Sequence, residues 1–147
     1  MKKSHVQVGI SVIVVKDKTV LVGRRKGSHA AGLLSFPGGH LDFGEDWKAC
    51  AYREIREECG AGLEVVIRHF DQHQIAFFTT NDVMPECGKH YVTIFLVADW
   101  VSGEPVNAEP EKCEGWAWAS LAELKKERVA GWIPLKLLES AKYRIGI

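Results

Sequence analysis

The stretch "GGHLDFGEDWKACAYREIREECGA", Gly38 to Ala61, decides how this chain is read. Asp46 is placed to cap a helix running from Trp47 to about Cys59, and Gly60 is placed to stop it. Trp47, Cys50, Ala51 and Ile55 form an apolar stripe along that helix. Beside the stripe, Glu54, Glu57 and Glu58 fall at i, i+3 and i+4, so all three carboxylates share one face. Like charges so spaced repel by roughly a few tenths of a kcal/mol per pair.

A solvated surface with an Arg53/Glu57 ion pair is the ordinary explanation of such a charge-dense face. Two features speak against it. The carboxylates sit towards the C-terminal half of the helix, where the macrodipole disfavours negative charge. The loop ahead of them, "PGGHLDFG", offers bare backbone to whatever lies near. A cation site accounts for both, because Mg²⁺ takes carboxylates, waters and substrate phosphate oxygens as ligands. The mutual repulsion then becomes a source of cation affinity, and a bound ion would neutralise phosphate charge and acidify an attacking water.

Working outward, the alternation Val6, Val8, Ile10, Val12, Val14 reads as a strand near residues 5–15, followed by the polar turn "KDKT" and a second strand, "VLVGRR". Residues 27–44 read as irregular and glycine-rich. Beyond the helix, "LEVVIRHF", "QIAFFTT", "HYVTIFLVADW" and "WAWA" read as strands. Ser120 can cap the helix "LAELKKER", and a last helix, "LKLLESAKY", is expected after Pro134. With no repeat or linker, residues 1–147 are expected to form one α/β domain with a mixed sheet.

Nineteen basic and nineteen acidic side chains give a formal net charge of zero. That balance argues against a nucleic-acid polymer or a membrane surface as partner and leaves a small anionic ligand open. Gln7 and Ser11 interrupt the N-terminal apolar run and no small-residue cleavage site follows, so a cytoplasmic location is expected. Cys50, Cys59, Cys87 and Cys113 lack a C-x-x-C pairing. "CGKH" and "HFDQH" contain zinc-ligand residue types, but reduced or surface side chains account for them better.

The pattern G-x5-E-x7-R-E-U-x-E-E-x-G-U, with U apolar, is met at Gly39, Glu45, Arg53, Glu54, Ile55, Glu57, Glu58, Gly60 and Ala61. In this box the chain resembles the Nudix hydrolases; Ala61 is smaller than the usual aliphatic residue there. The resemblance implies an α/β/α sandwich whose strand-loop-helix motif, residues 39–61, holds metal. It also implies hydrolysis of a diphosphate linked to a further group, with Mg²⁺, or Mn²⁺ in its place. Glu54, Glu57 and Glu58 match the metal-binding glutamates, and one of them would help deprotonate water. Gly38 matches a glycine whose carbonyl commonly ligates metal. Arg53, counted with the catalytic residues, matches together with Glu45 the positions that brace loop and helix.

"GRRKGS", "FPGGHLDFGE", "HYVTI" and "EPEKCEGWAW" resemble the short MutT-like subgroup. That resemblance implies cleavage of nucleoside or deoxynucleoside triphosphates, including oxidised purines such as 8-oxo-dGTP, to monophosphate and pyrophosphate, and by analogy a homodimer. Prenyl diphosphates and dihydroneopterin triphosphate are the alternative substrates, and a non-catalytic nucleotide-sensing domain is a further alternative. Candidate substrate contacts are Arg25 at a strand end, His40 in the glycine loop, Phe36, Thr93, and Trp132 as an aromatic surface for a base. Glu111 and Glu114 are candidates for an additional metal ligand or base.

Overall fold

A computed structural model of the chain describes residues 4–27, 31–72, 74–127, 129, 133 and 135–147. Strands β1 (Gln7–Lys16) and β2 (Thr19–Arg25) form a hairpin whose turn residues, Asp17 and Lys18, both take positive φ. Such a turn matches the right-handed twist of its strands. The glycine-rich segment is less irregular than expected, since it holds two short strands, β3 (Leu34–Ser35) and β4 (Gly38–His40). Strand β4 pairs with β1 through Ile10–Gly39 and Ser11–Gly38. Glycine is required at position 38 because a Cβ there would overlap the Ile10 carbonyl oxygen.

Helix α1 (Trp47–Cys59) has the bounds expected from its caps. Asp46 accepts a hydrogen bond from the Ala49 N–H at 2.8 Å, and Gly60 leaves the helix at φ 86°. After it come β5 (Glu64–Ile67), β6 (Phe77–Met84), β7 (Lys89–Ser102) and β8 (Cys113–Ala119). The helices α2 (Leu121–Lys126) and α3 (Leu135–Ile145) close the described chain. Strand β5 is shorter than "LEVVIRHF", because the chain beyond Ile67 turns and forms only an isolated bridge between His69 and Ile75.

The sheet is mixed: β1 runs parallel to β7, and the other strand pairings are antiparallel. Alternation along β1 sends Ile10, Val12 and Val14 to one face, where Cys50, Ala51, Ile55 and Cys59 of α1 cover them. Ile13 and Val15 face the other side, packing with Phe95, Leu124, Leu138 and Ile145 against α2 and α3. Each fully buried Leu, Ile or Phe contributes about 1.5–3 kcal/mol relative to exposure. The result is the expected α/β/α sandwich. Among the described residues no helix is long and apolar enough to cross a membrane.

Candidate active site

The carboxylate face of α1 meets the edge of β4. Gly39 points towards α1, and a Cβ there would overlap the Glu54 carboxylate. Glu58 accepts a hydrogen bond from the Gly38 N–H at 3.0 Å. The helix and the glycine strand therefore touch through a carboxylate and bare backbone, a contact that a side chain at position 39 would prevent.

Arg53 holds this junction together. Its guanidinium donates to Glu45 at 2.7 and 2.9 Å, to Glu54 at 2.9 Å, to Glu57 at 3.3 Å and to the His40 carbonyl at 3.1 Å. The hydrogen bond from Arg53 lowers the Glu45 pKa to about 2. Arg53 thus ties the loop to the helix, the bracing expected of it; it does not line the cavity described below.

Glu54 is buried, and desolvation raises its pKa even though Arg53 opposes the shift. Burial raises Glu58 further, to about 8, with the fields of Glu54 and Glu109 adding to the shift. Glu57 is half-exposed at the end of the same row. Among the described residues no three His, Cys, Asp or Glu side chains already converge as a metal cage. Glu54 and Glu57 turn to Arg53, while Glu58 turns to the Gly38 N–H. The donor set nevertheless suits a hard divalent cation: oxygen ligands only, two of the three carboxylates desolvated, and two adjacent glycines on the strand beside them.

Next to Glu58 opens a cavity of about 340 Å³ between the end of β2, the β3–β4 segment and the loop before β8. Arg24, Arg25, Lys26 and Lys112 bring positive charge to its wall, and Glu58, Glu109 and Glu111 bring negative charge. Phe36, Cys113 and Trp116 are its apolar lining. Phe36 is mainly core, packed edge-on against Phe95 with ring centroids 6.3 Å apart.

The loop before β8 is stitched to the end of α1. Val106 N–H donates to the Cys59 carbonyl at 2.9 Å, and Ala108 N–H to the Glu58 carbonyl at 3.2 Å. The Trp116 indole N–H reaches the same Glu58 carbonyl at 3.1 Å. These donors satisfy carbonyls that a helix end leaves without intrahelical partners. They also bring Glu109 near enough for its charge to raise both Glu54 and Glu58.

The sequence reading thus needs correction at this loop. Glu111 does line the cavity, but Glu114 turns away to Arg24 at 3.9 Å. Glu109, which the sequence reading passed over, is the loop carboxylate that acts on the helix glutamates, and it pairs with Lys112 at 3.1 Å. Arg25 lines the cavity. His40 and Thr93 both lie opposite Gly9 on β1, on the sheet face that Ile13 and Val15 share, and neither lines the cavity. Trp132 falls outside the described residues. The zinc alternatives find no support among the described residues: Cys87 donates to the Met84 carbonyl, His90 pairs with Asn81, and His73 is not described.

The NUDIX domain model matches residues 4–139. The chain belongs to the Nudix family. An isopentenyl-diphosphate Delta-isomerase of Cereibacter sphaeroides is 32% identical over 144 residues, covering 88% of this chain and 76% of that one. An 8-oxo-dGTP diphosphatase of Escherichia coli is 29% identical over 128 residues, covering 86% and 88%. The crystal structure of a MutT Nudix hydrolase from Burkholderia pseudomallei superposes with a TM-score of 0.72 at 26% identity, over 86% of this chain and 92% of that one. A MutT protein from Methanosarcina mazei shares the fold with a TM-score of 0.76 over 98% of each chain, at 19% identity. The protein is a MutT-like Nudix hydrolase, an enzyme class that acts on pyrophosphate bonds and generally uses divalent metal ions.

Proposed function

We propose that this Nudix hydrolase cleaves nucleoside and deoxynucleoside triphosphates, oxidised purine nucleotides such as 8-oxo-dGTP among them, to monophosphate and pyrophosphate in a Mg²⁺-dependent reaction. The observation that carries the reading is the continuity of two features: the row Glu54, Glu57 and Glu58, and a cavity beside Glu58 walled by Arg24, Arg25, Lys26 and Lys112. Anionic phosphates need cationic donors, and the carboxylates are suited to the cation that accompanies them.

Glu54, Glu57, Glu58 and the Gly38 carbonyl would hold Mg²⁺. The bound ion supplies charge neutralisation and acidifies water. The chain's own groups do the rest. Arg25 and its neighbours orient the phosphates in the cavity, and Arg53 keeps the loop and helix in register. One of these three glutamates takes the proton from the attacking water, whose oxygen adds to the β-phosphorus as the nucleoside monophosphate leaves. Rate enhancement comes chiefly from positioning and electrostatics.

A prenyl diphosphate is the second reading, favoured by the likeness to isopentenyl-diphosphate isomerases. An isoprenoid tail needs an apolar slot, whereas charged side chains make up much of the described cavity wall. Dihydroneopterin triphosphate would suit the phosphate end equally. A purely sensing role fits poorly with a chain that keeps every glutamate of the box. The test is a Mg²⁺-dependent screen of nucleoside triphosphates, 8-oxo-dGTP, dihydroneopterin triphosphate and prenyl diphosphates, with products identified by mass. Hydrolysis of prenyl diphosphates above all nucleotides would overturn the reading.

A further inference from the structure

Trp116 on β8 touches both halves of the site. Its ring is part of the cavity wall, and its indole N–H donates to the Glu58 main-chain carbonyl at 3.1 Å. The ring is seated by what its neighbour lacks. Trp116 lies opposite Gly23 of β2, and a Cβ at position 23 would come within 2.8 Å of ring atoms Cε3 and Cζ3. Carbon atoms in contact prefer about 3.5–4.0 Å, so a side chain there would displace the indole.

The other end of the contact is a helix terminus. Glu58 precedes the last residue of α1, and its carbonyl is among those a helix leaves without an intrahelical partner. Ala108 N–H also donates to it, at 3.2 Å, but from the loop, whereas Trp116 stands in a paired strand. Glu58 is thus held at its main chain by these two donors and at its carboxylate by the Gly38 N–H at 3.0 Å. The carboxylate end lies in the cation site. The main-chain anchor lies outside it and can persist while a cation binds. Trp118, two residues along the same strand and packed against the same core, makes a contrast: its buried indole N–H has no hydrogen-bond partner among the described residues.

We propose that Trp116 is a positioning residue for the cation site: its indole N–H holds the C-terminal end of α1 against β8, so that Glu58 is already in place when a divalent cation arrives. A ligand group that is placed beforehand loses less freedom on binding than one that must be ordered by the ion. The inference rests on the reading of Glu58 as a cation ligand and adds to it a residue outside the box.

The test removes the N–H and little else. Benzothienylalanine, introduced in place of Trp116 by codon suppression, keeps the bicyclic ring and carries sulfur where indole carries N–H. Binding of Mn²⁺ alone to the metal-free protein, followed by electron paramagnetic resonance well below the unfolding temperature, should weaken about threefold to tenfold. The same analogue in place of Trp118 removes an N–H that has no partner and should leave the Mn²⁺ affinity at its wild-type value. Unchanged affinity in the Trp116 analogue, whatever its unfolding temperature, overturns the proposal and leaves Trp116 a purely structural side chain. Equal weakening from the two analogues overturns it as well, because the effect would then follow the ring and not the hydrogen bond. Glu58→Gln, measured alongside, should weaken Mn²⁺ binding more than either analogue. If it leaves binding unchanged, Glu58 is no cation ligand and the proposal falls with that reading. If Glu58→Gln weakens binding and the Trp116 analogue does not, the cation site stands and the positioning role alone is lost.

Discussion

The two faces of the sheet are built by the same alternation along β1, yet they spend their buried positions differently. On the α3 face, Ile13, Val15, Phe95, Leu124 and Leu138 make an apolar core in which every group is at home. On the α1 face, a similar core of Ile10, Val12, Cys50 and Ile55 gives way within one helical turn to the buried Glu54 and the partly buried Glu58, whose carboxyl groups are both desolvated. Desolvated anions cost stability unless something compensates them. The contrast assigns stability to one face and chemistry to the other.

Substitutions on the α1 face should therefore remove activity while leaving the fold in place. Glu58→Gln keeps an acceptor for the Gly38 N–H and removes the charge. Its kcat should fall by about 10²- to 10⁴-fold. The unfolding temperature of the metal-free protein should not fall, and calorimetry beside steady-state kinetics checks both halves. Turnover at the wild-type rate would break the assignment of chemistry to this face.

Gly39→Ala makes a geometric version of the same test. The added methyl would overlap the Glu54 carboxylate and push it off its position. A displacement of about 1 Å in such a site costs on the order of 10²-fold in rate. Circular dichroism should show the fold retained, and kinetics should show the loss.

The α3 face should respond in the opposite sense. Leu138 is 1% exposed, and Leu138→Ala should destabilise by about 2–5 kcal/mol in denaturant titration. Well below its unfolding midpoint, the variant should keep wild-type kcat/KM. A variant that stayed folded but lost turnover would mean that the two faces are coupled.

The smallest effect is expected from acid. Arg53 holds the Glu45 pKa near 2, against an ordinary value of 4.5. A depressed carboxylate pKa contributes stability that is fully present above about 4.5 and is lost as pH falls through about 2. Glu45→Gln lacks that contribution. The wild type should therefore be the more stable of the two at pH 6, and the gap should close between about pH 4.5 and 2. A gap independent of pH would show that the ion pair does not carry it.

Much of the fold was legible because its signals are local. The Asp46 cap, the stop at Gly60 and the stripe through Cys50 and Ile55 located α1 at both ends, since each acts within a turn or two of chain. The strands of β4 were not legible, because two adjacent glycines read as loop until β1 is there to pair with them. Glu109 was missed for a related reason. Nothing in "EPEKCEG" distinguishes its acidic residues, and the choice depends on hydrogen bonds from Val106, Ala108 and Trp116 to the end of a helix some fifty residues earlier.

By itself, the sequence determined the reaction class. Fixed spacing on a helix of 3.6 residues per turn already puts Glu54, Glu57 and Glu58 on one face, and no tertiary contact is needed to place them there. Only the tertiary structure decided what that face meets. Strand pairing through Gly38 and Gly39 sets the distance from helix to loop. The physical reason is that helix periodicity is a property of neighbouring residues, whereas a binding site is a set of distances between strands that only the packed sheet defines.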